Sequence, residues 1–297
     1  MSTELATVRS LQADQPTQGF WRGSLIRLLA NRPALVGLVL ITVFLFVAIC
    51  APLMAPSNPE VGHLADGLQT PSRLHPMGTD LVGRDELSRV IWGARLSLEV
   101  AVVSVLIAFL VGGLVGAVAG AAAGPIDATL MRVVDVLLAI PGILLAIGIV
   151  AWLGQGLLQI MLAVALTLAP AFARLLRGSL LALRTADFVT AARTMGVTPT
   201  RILLRHMLPN ALTPLIVQAT LALGTAVVDV AGLGFLGLGP PDPRIAEWGT
   251  MLTDATSYLR AAPYLVFFPA VAIVIASVGF NLLGDGLREA LDPRLRR

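Results

Sequence analysis

The segment LEVAVVSVLIAFLVGGLVGAVAGAA, residues 98–122, contains one charged residue, Glu99, close to its beginning. A helix of about 20 mainly apolar residues is long enough to cross the hydrocarbon core of a bilayer. Lipid offers no hydrogen-bond partner to the backbone, so a segment of this kind satisfies its own polar groups by forming a helix. The segment therefore predicts a membrane-spanning α-helix.

Five further segments have similar length and apolar character. They cover residues 34–53, 133–153, 157–176, 211–230 and 264–283. Of the 297 residues, 56% are hydrophobic and 13% are charged, and the mean hydropathy is +0.84. A soluble domain has a charged fraction of about 25%. We predict an all-α integral membrane protein with six transmembrane helices, and these properties exclude a soluble enzyme.

The arginines near the span ends predict the orientation. If the N-terminus lies in the cytoplasm, most of these arginines fall in cytoplasmic segments, as the positive-inside rule requires. Four arginines of the first polar loop oppose this orientation: Arg73, Arg84, Arg89 and Arg95. We predict cytoplasmic N- and C-termini in a bacterial plasma membrane.

The predicted organisation follows from the spans. A cytoplasmic segment, 1–33, precedes the first span, 34–55, and an extracytoplasmic loop, 56–97. A core of five spans, 98–286, includes a loop at 185–210, and a cytoplasmic tail, 287–297, ends the chain. Residues 21–32 have helical periodicity with interspersed arginines. This pattern is typical both of an interfacial helix and of a continuation of the first span.

Several classes of function are disfavoured by composition. All 21 basic residues are arginine, so the chain cannot contain a normal phosphate-binding P-loop, which needs a lysine. No ionisable residue stands at the centre of a predicted span, where ion-coupled carriers place one. We expect the driving force to come from another polypeptide. The small residues Gly112, Gly116 and Gly120 recur at helical spacing and predict close helix packing, within the chain or with a second subunit.

The loop 185–210 contains more order than a linker needs. Residues 188–196 predict a short helix that Thr185 or Asp187 caps and that Gly196 ends in a left-handed conformation. Thr198 and Pro199 predict the beginning of a second helix, which reaches the fifth span at Pro209. Such a helix pair suits docking in a groove of another protein or an amphipathic path along the membrane surface, and the residues alone leave both open.

The order of residues in this loop resembles the EAA loop of ABC importer permeases. Ala191 and Ala192 are followed at the family's spacing by Gly196 and by a Leu-Pro pair. Thr190 stands in place of the usual glutamate and His206 in place of isoleucine, and both departures resemble the dipeptide/oligopeptide/nickel branch. The resemblance implies that this loop docks on an ATPase subunit. The residues concerned are Phe188, Ala191, Ala192, Arg193, Gly196, His206, Leu208 and Pro209.

Two further segments resemble the outer loops of the same branch. The resemblance implies that they gate the external mouth or contact a solute-binding protein. From the first polar loop these residues are Gly78, Asp80, Gly83, Arg84 and Asp85. From the polar loop before the last span they are Phe235, Gly237, Gly239, Glu247 and Trp248.

The resemblance also implies an assembly. This chain would be the C-type permease in a heterodimer with a B-type permease, together with two ATPase subunits and an extracytoplasmic solute-binding protein. ATP and Mg would bind to the ATPase subunits, and this chain would have no catalytic residue and no cofactor. Asp135 and Pro141 in the third span are candidates for lining the pore.

Short peptides are the first expected substrate class, and nickel or its chelates the second. An ion-coupled carrier and a membrane scaffold are the alternatives from other classes. The three histidines, His63, His75 and His206, are far apart in sequence, so we expect no metal site. The pI near 9.9 fits an anionic membrane surface, and we expect no nucleic-acid binding.

Overall fold

The computed structural model describes residues 20–122 and 124–291, and in these ranges the chain is built from helices without a named strand. The first helices are α1 (Phe20–Ala30), α2 (Arg32–Ile49), α3 (Ala51–Met54), α4 (Glu86–Ala121), α5 (Pro125–Ala139) and α6 (Gly142–Leu153). They are followed by α7 (Leu157–Leu183), α8 (Asp187–Thr194), α9 (Pro199–Ile202), α10 (Leu208–Leu233), α11 (Trp248–Thr256) and α12 (Tyr264–Leu291). Short π-helical turns, Leu203–Met207 and Gly234–Leu238, adjoin the two ends of α10.

Five helices are long and apolar enough to cross a membrane, and a bent pair raises the number of spans to as many as six. The five are α2, α4, α7, α12 and the continuous helix Pro199–Leu238 that contains α10. The predicted all-helical membrane fold is thereby confirmed. The outward faces of the helices are suited to lipid, because large apolar side chains such as Leu110 and Leu114 are well exposed there.

The third span is not the single helix that the sequence predicted over 133–153. It consists of α5 and α6, which meet at an angle of 97°. Pro141 lies at the break, and Ile140 before it has extended backbone angles, φ −89° and ψ 130°. Proline has no N–H to continue a helix and disfavours helical angles in the preceding residue. The bend is therefore a local effect of Pro141.

Other predicted boundaries also need correction. Helix α4 begins at Glu86, inside the predicted loop 56–97, and α12 reaches Leu291, inside the predicted tail. Asn31 interrupts the helix between α1 and α2, because its extended backbone ends α1 and its side chain accepts from the Ala34 amide. The alternative of one continuous first helix is therefore wrong. Residues 1–19 and 292–297 of the predicted terminal segments lie outside the described residues.

The glycines of α4 pack against α7. A methyl group added at Gly112 would overlap the carbonyl oxygen of Ala169, and one at Gly116 would overlap that of Ala173. At the neighbouring Gly113, by contrast, an added methyl group would meet no atom within 4 Å. The prediction of close packing is confirmed, and the partner of this stripe is α7 of the same chain.

Candidate functional site

The helix predicted in the loop 185–210 is α8, which begins at Asp187 and ends at Thr194. Ala186 occupies the N-cap position and no side chain caps the helix, so the predicted capping by Thr185 or Asp187 is wrong. The Thr185 hydroxyl instead donates to the Ala182 carbonyl, 3.3 Å away. Asp187 lies in the first turn, where the helix dipole favours a negative charge.

Gly196 ends α8 in the predicted left-handed conformation, with φ +76°. The Val197 amide donates to the Ala192 carbonyl at 3.1 Å, and the Gly196 amide donates to the Arg193 carbonyl at 3.0 Å. These two bonds form a Schellman motif, which satisfies carbonyls that a helix end otherwise leaves free. An added methyl group at Gly196 would meet nothing within 4 Å, so backbone conformation alone calls for glycine here.

The two faces of α8 differ sharply. Val189 and Ala192 are buried together with Ile202 and Met207 in the main hydrophobic core. The opposite face is open to solvent and includes three apolar or small side chains. They are Phe188, Ala191 and Met195, the last of which is 75% exposed. The two alanines of the motif therefore point to different environments, since Ala192 packs within the chain and only Ala191 is accessible to a partner.

The second half of the loop is continuous with the fifth span. Pro199 takes the predicted first position of α9, after Thr198. The π-helical turn Leu203–Met207 follows, and the Leu208 amide donates to the Leu203 carbonyl, five residues earlier. Pro209 explains this wider turn, because its ring has no N–H and crowds the carbonyl four residues before it. Leu208 packs partly against the core, whereas Pro209 is exposed.

Arg184 connects this loop to the distant end of α4. One of its guanidinium nitrogens, Nη2, donates to the carbonyls of Gly120 at 2.6 Å, Ala121 at 2.9 Å and Ala122 at 3.2 Å. The last carbonyls of a helix have no intrahelical partner and carry the negative end of its dipole. The arginine also lines a cavity of about 410 Å³ together with Arg193. No sequence pattern indicates these contacts, because the three carbonyls lie 62–64 residues away from Arg184.

The pore candidates lie on the bent third span. Asp135 forms an ion pair with Arg174 of α7, and both side chains are more than half exposed. Asp127, two turns earlier, accepts two hydrogen bonds from Arg177. These pairs fasten α5 to α7. Pro141 marks the bend, and a pore-lining role for it or Asp135 stays a prediction.

The two predicted outer segments come together in one structure, which we call the loop assembly and define as residues 55–97 and 234–262. Asp80 is its first polar centre. Its carboxylate accepts from the amides of Val82 and Arg84 at 3.0 and 2.9 Å and from the Arg84 guanidinium at 2.5 Å. Arg84 also donates to the Pro243 carbonyl at 2.7 Å, which joins the two loops.

Asp85 is the N-cap of α4. Its Oδ2 accepts from the Ser88 amide at 2.8 Å and from the Ser88 hydroxyl at 2.7 Å, while its Oδ1 lies 2.9 Å from His75 Nδ1. Gly78 and Gly83 have φ of +80° and +79°, so the turns before the helix need residues without a side chain. This capping explains why α4 begins within a polar stretch.

Glu247 and Trp248 connect α11 to α4 and are fully buried. Glu247 accepts from the amides of Gly249 and Thr250 at 2.8 and 2.9 Å, and burial raises the pKa of its carboxyl group. The Trp248 indole donates to the Val90 carbonyl at 3.0 Å. A methyl group at Gly93 would lie 2.6 Å from this indole ring, so α4 has no room for a side chain at this position.

Most of the predicted outer residues are therefore internal to the loop assembly. Gly78, Asp80, Gly83, Arg84 and Asp85 are buried. Of the second segment, Phe235 is 47% exposed and Gly237 has φ +77°, whereas a methyl group at Gly239 would overlap Thr250. Their burial indicates that they support the loops, and a contact with another protein would fall to exposed neighbours. A gating or contact role stays a prediction.

Comparison with known proteins identifies the class of protein that uses this architecture. Residues 112–297 match the family described as binding-protein-dependent transport system inner membrane component. Residues 19–73 match the N-terminal TM domain of oligopeptide transport permease C. The chain belongs to the binding-protein-dependent transport permeases. The permease is accordingly a multi-pass inner-membrane protein, and its relatives place it in the peptide branch of the ABC importers.

Similar proteins cover almost the whole permease. It is 45% identical over 93% of its length to the dipeptide transport system permease protein DppC of Alkalihalophilus pseudofirmus, of which 90% is covered. It is also 45% identical over 97% of its length to the glutathione transport system permease protein GsiD of Shigella flexneri, of which 94% is covered. In fold, the permease resembles a chain of the inward-facing MetNI methionine ABC transporter, with 24% identity and a TM-score of 0.57 over 68% of this chain and 96% of that one.

Proposed function

We propose that this permease imports short peptides across the bacterial plasma membrane as the C-type subunit of an ATP-driven transporter. The observation that carries the proposal is 45% identity, over more than nine-tenths of the chain, to permeases named for a dipeptide and for glutathione. Glutathione is itself a small peptide, so both names point to one substrate class. The same names favour peptides over nickel.

The complete transporter contains a B-type permease as the heterodimer partner, two ATPase subunits that bind ATP and Mg, and a solute-binding protein. This chain has no catalytic role and binds no cofactor. Its termini lie in the cytoplasm, so the loop 185–210 faces the ATPase subunits and the loop assembly faces outward. The positive-inside distribution of arginines supports this orientation.

The exposed face of α8 supports docking on an ATPase. Phe188 and Met195 present apolar surface at 41% and 75% exposure, a pattern typical of a helix that inserts into a groove of a partner. The opposite face is fixed to the core through Val189 and Ala192. A helix held in this way transmits a displacement of the ATPase to the membrane helices, because rigid elements carry motion between sites.

Purification of the transporter in mild detergent tests this function. We expect two ATPase-type subunits and a second permease to co-purify with the chain, as identified by mass spectrometry. In a strain without the chain, dipeptide uptake should be lost and nickel uptake should be unchanged. A homogeneous preparation that contains no ATPase subunit would contradict the proposal, and so would loss of nickel uptake alone.

Arg184→Gln should uncouple ATP hydrolysis from transport. The substitution removes charge-assisted hydrogen bonds to the end of α4, and bonds of this kind contribute roughly 1.5–3 kcal/mol, equivalent to about a tenfold or larger change in rate. We expect dipeptide uptake into proteoliposomes to fall by about this factor while ATP hydrolysis continues. Arg201→Gln is the control, since Arg201 is an exposed arginine of the same loop that lies outside the predicted docking residues and forms no side-chain hydrogen bond with any described residue. Equal uptake by the two variants would show that the Arg184 contacts do not transmit motion.

A further inference from the structure

The cavity that Arg184 and Arg193 line has a chemistry that docking on an ATPase does not use. Its volume of about 410 Å³ lies within the range of pockets that bind small ligands, roughly 300–1,000 Å³. Its wall consists of the end of α4, Arg184 directly after α7, and parts of the chain from Arg193 to the π-helical turn. Among the described residues, both charged side chains on this wall are arginines, so the cavity is positively charged.

Arg184 keeps hydrogen-bond donors for a ligand. Of its side-chain nitrogens, only Nη2 donates within the described chain, to the carbonyls at the end of α4. A guanidinium group has five N–H donors, so those of Nη1 and Nε have no acceptor among the described residues. The helix end contributes about half a negative charge, which offsets only part of the charge of one arginine. Asp127, the first acidic residue after α4, already accepts two hydrogen bonds from Arg177.

Arg193 faces this cavity and not the docking face of α8. The docking face includes Ala191 and Met195, and Arg193 is two positions from each of them. Residues two positions apart in a helix are separated by about 200° around its axis, so Arg193 projects from the opposite side. Its guanidinium group forms no hydrogen bond with any described residue. The two arginines therefore offer donors to a ligand that approaches from another side than the ATPase.

The lipid-facing side of α4 leads to this cavity. Leu110, Leu114 and Val118 are exposed apolar side chains at intervals of four residues. Ala121, on the cavity wall, follows after three more. These intervals place all four residues on one face of the helix. The membrane span predicted over 98–122 ends at this point, so an acyl chain that lies along this face brings its headgroup to the cavity.

The ligand that fits these features is anionic and partly apolar. A phosphate group accepts charge-assisted hydrogen bonds from guanidinium donors through two of its oxygens. Val197 and Leu203 give the wall an apolar part, which a soluble anion would leave without a partner. A zwitterionic headgroup carries an ammonium group that two arginines repel, so a headgroup with net negative charge fits better.

We propose that this cavity binds the phosphate group of an anionic phospholipid, with Arg184 and Arg193 as its donors and an acyl chain along Leu114 and Val118. Basic pockets beside membrane helices on the cytoplasmic side are typical sites for anionic headgroups. The assignment to the cytoplasmic leaflet rests on the proposed function, whereas the charge and the apolar surroundings of the cavity do not depend on it.

Native mass spectrometry of the full chain, purified in mild detergent with the subunits that accompany it, tests the proposal. Phosphatidylglycerol and phosphatidylcholine with identical acyl chains are titrated separately, and the occupancy of the first lipid bound to this chain is measured. Phosphatidylglycerol should reach half occupancy at a concentration about tenfold lower, because two arginines attract its net negative charge. Equal half-occupancy concentrations would overturn the proposal.

Substitutions of single arginines locate the lipid. Arg193→Gln and Arg184→Gln each remove charge-assisted hydrogen bonds to the phosphate group, so each should raise the half-occupancy concentration of phosphatidylglycerol about tenfold. Arg193→Gln also leaves the fold intact, because it changes an exposed side chain without a hydrogen bond to any described residue. Arg201→Gln is the control, an exposed arginine of the same loop outside the cavity wall, and should not change lipid binding. Unchanged binding in Arg193→Gln, or an equal loss in Arg201→Gln, contradicts the site.

Two comparisons establish the class of ligand. An excess of sn-glycerol 3-phosphate, which has the phosphate group without acyl chains, should leave phosphatidylglycerol bound. Full displacement by it would assign the cavity to a soluble phosphate and overturn the lipid. Removal of the ATPase subunits should leave lipid binding unchanged. Lipid binding that arises only after this removal would assign the arginines to an acidic side chain of the ATPase and would likewise overturn the proposal.

The two proposals fail separately. Absence of a preference for phosphatidylglycerol refutes this lipid site and leaves the import function untouched. Absence of ATPase subunits from the preparation refutes the import function and leaves the lipid titration valid.

Discussion

Gly116→Val should strongly reduce the yield of folded protein that can be purified from the membrane fraction. Gly116 lies against the Ala173 backbone of α7, where an added methyl group would overlap the Ala173 carbonyl oxygen. Overpacking of this kind costs about 1–3 kcal/mol when side chains can yield, and here backbone must yield instead. We therefore expect at least the upper end of this range, which corresponds to about a hundredfold loss in the folded-to-unfolded ratio. The measurement is the yield of monodisperse protein in size-exclusion chromatography.

Gly113→Val is the matched control for this experiment. It places the same side chain on the same helix, three residues away, where no atom lies within 4 Å of an added methyl group. Both substitutions have the same effect on intrinsic helix propensity. Equal yields of the two variants would show that the contact between α4 and α7 does not limit stability.

Gly196→Val should reduce dipeptide uptake at least tenfold and leave membrane insertion intact. Gly196 has φ +76°, and left-handed backbone costs a residue with a side chain roughly 1–2 kcal/mol, with β-branched residues among the least tolerated. The strain is relieved when the Schellman bonds to Ala192 and Arg193 break, and the exposed face of α8 then loses its fixed direction. We expect at least a tenfold fall in uptake, which matches this cost, at unchanged yield.

Gly196→Asn separates backbone strain from the presence of a side chain. Asparagine also adds a side chain, but it adopts left-handed angles more readily than other residues. This variant should therefore retain most of the uptake. Normal transport by Gly196→Val would mean that the end of α8 is not needed for coupling, and equal losses in both variants would mean that the side chain itself interferes.

The sequence predicted those features that depend on local chemistry. Long apolar segments had to become helices because of the lipid solvent, and Gly196 had to adopt a left-handed angle to end α8. The stripe of Gly112 and Gly116 predicted a close helix contact, although its partner, α7, could not be named. In each case the local sequence alone determines the feature, so it can be predicted without knowing which distant segments pack against it.

Features that depend on distant segments were missed. Hydropathy placed the beginning of the second span at residue 98, but Asp85 caps the helix in a polar region and the assembled loops bury its first turns. Glu247 and Trp248 were predicted at an outer surface, yet packing against α4 buries them completely. The partners of Arg184 are three backbone carbonyls, which leave no pattern in a sequence.

Helix α4 joins the loop assembly to Arg184 as one uninterrupted rod. Its 36 residues span about 54 Å at 1.5 Å per residue, and no proline interrupts it. Because a helix of that length is stiff, a tilt of about 5° displaces one end by about 5 Å relative to the other. The position of the loop assembly then varies with that of Arg184. In the orientation proposed above, we expect a reporter on the loop assembly to register nucleotide binding by the ATPase subunits.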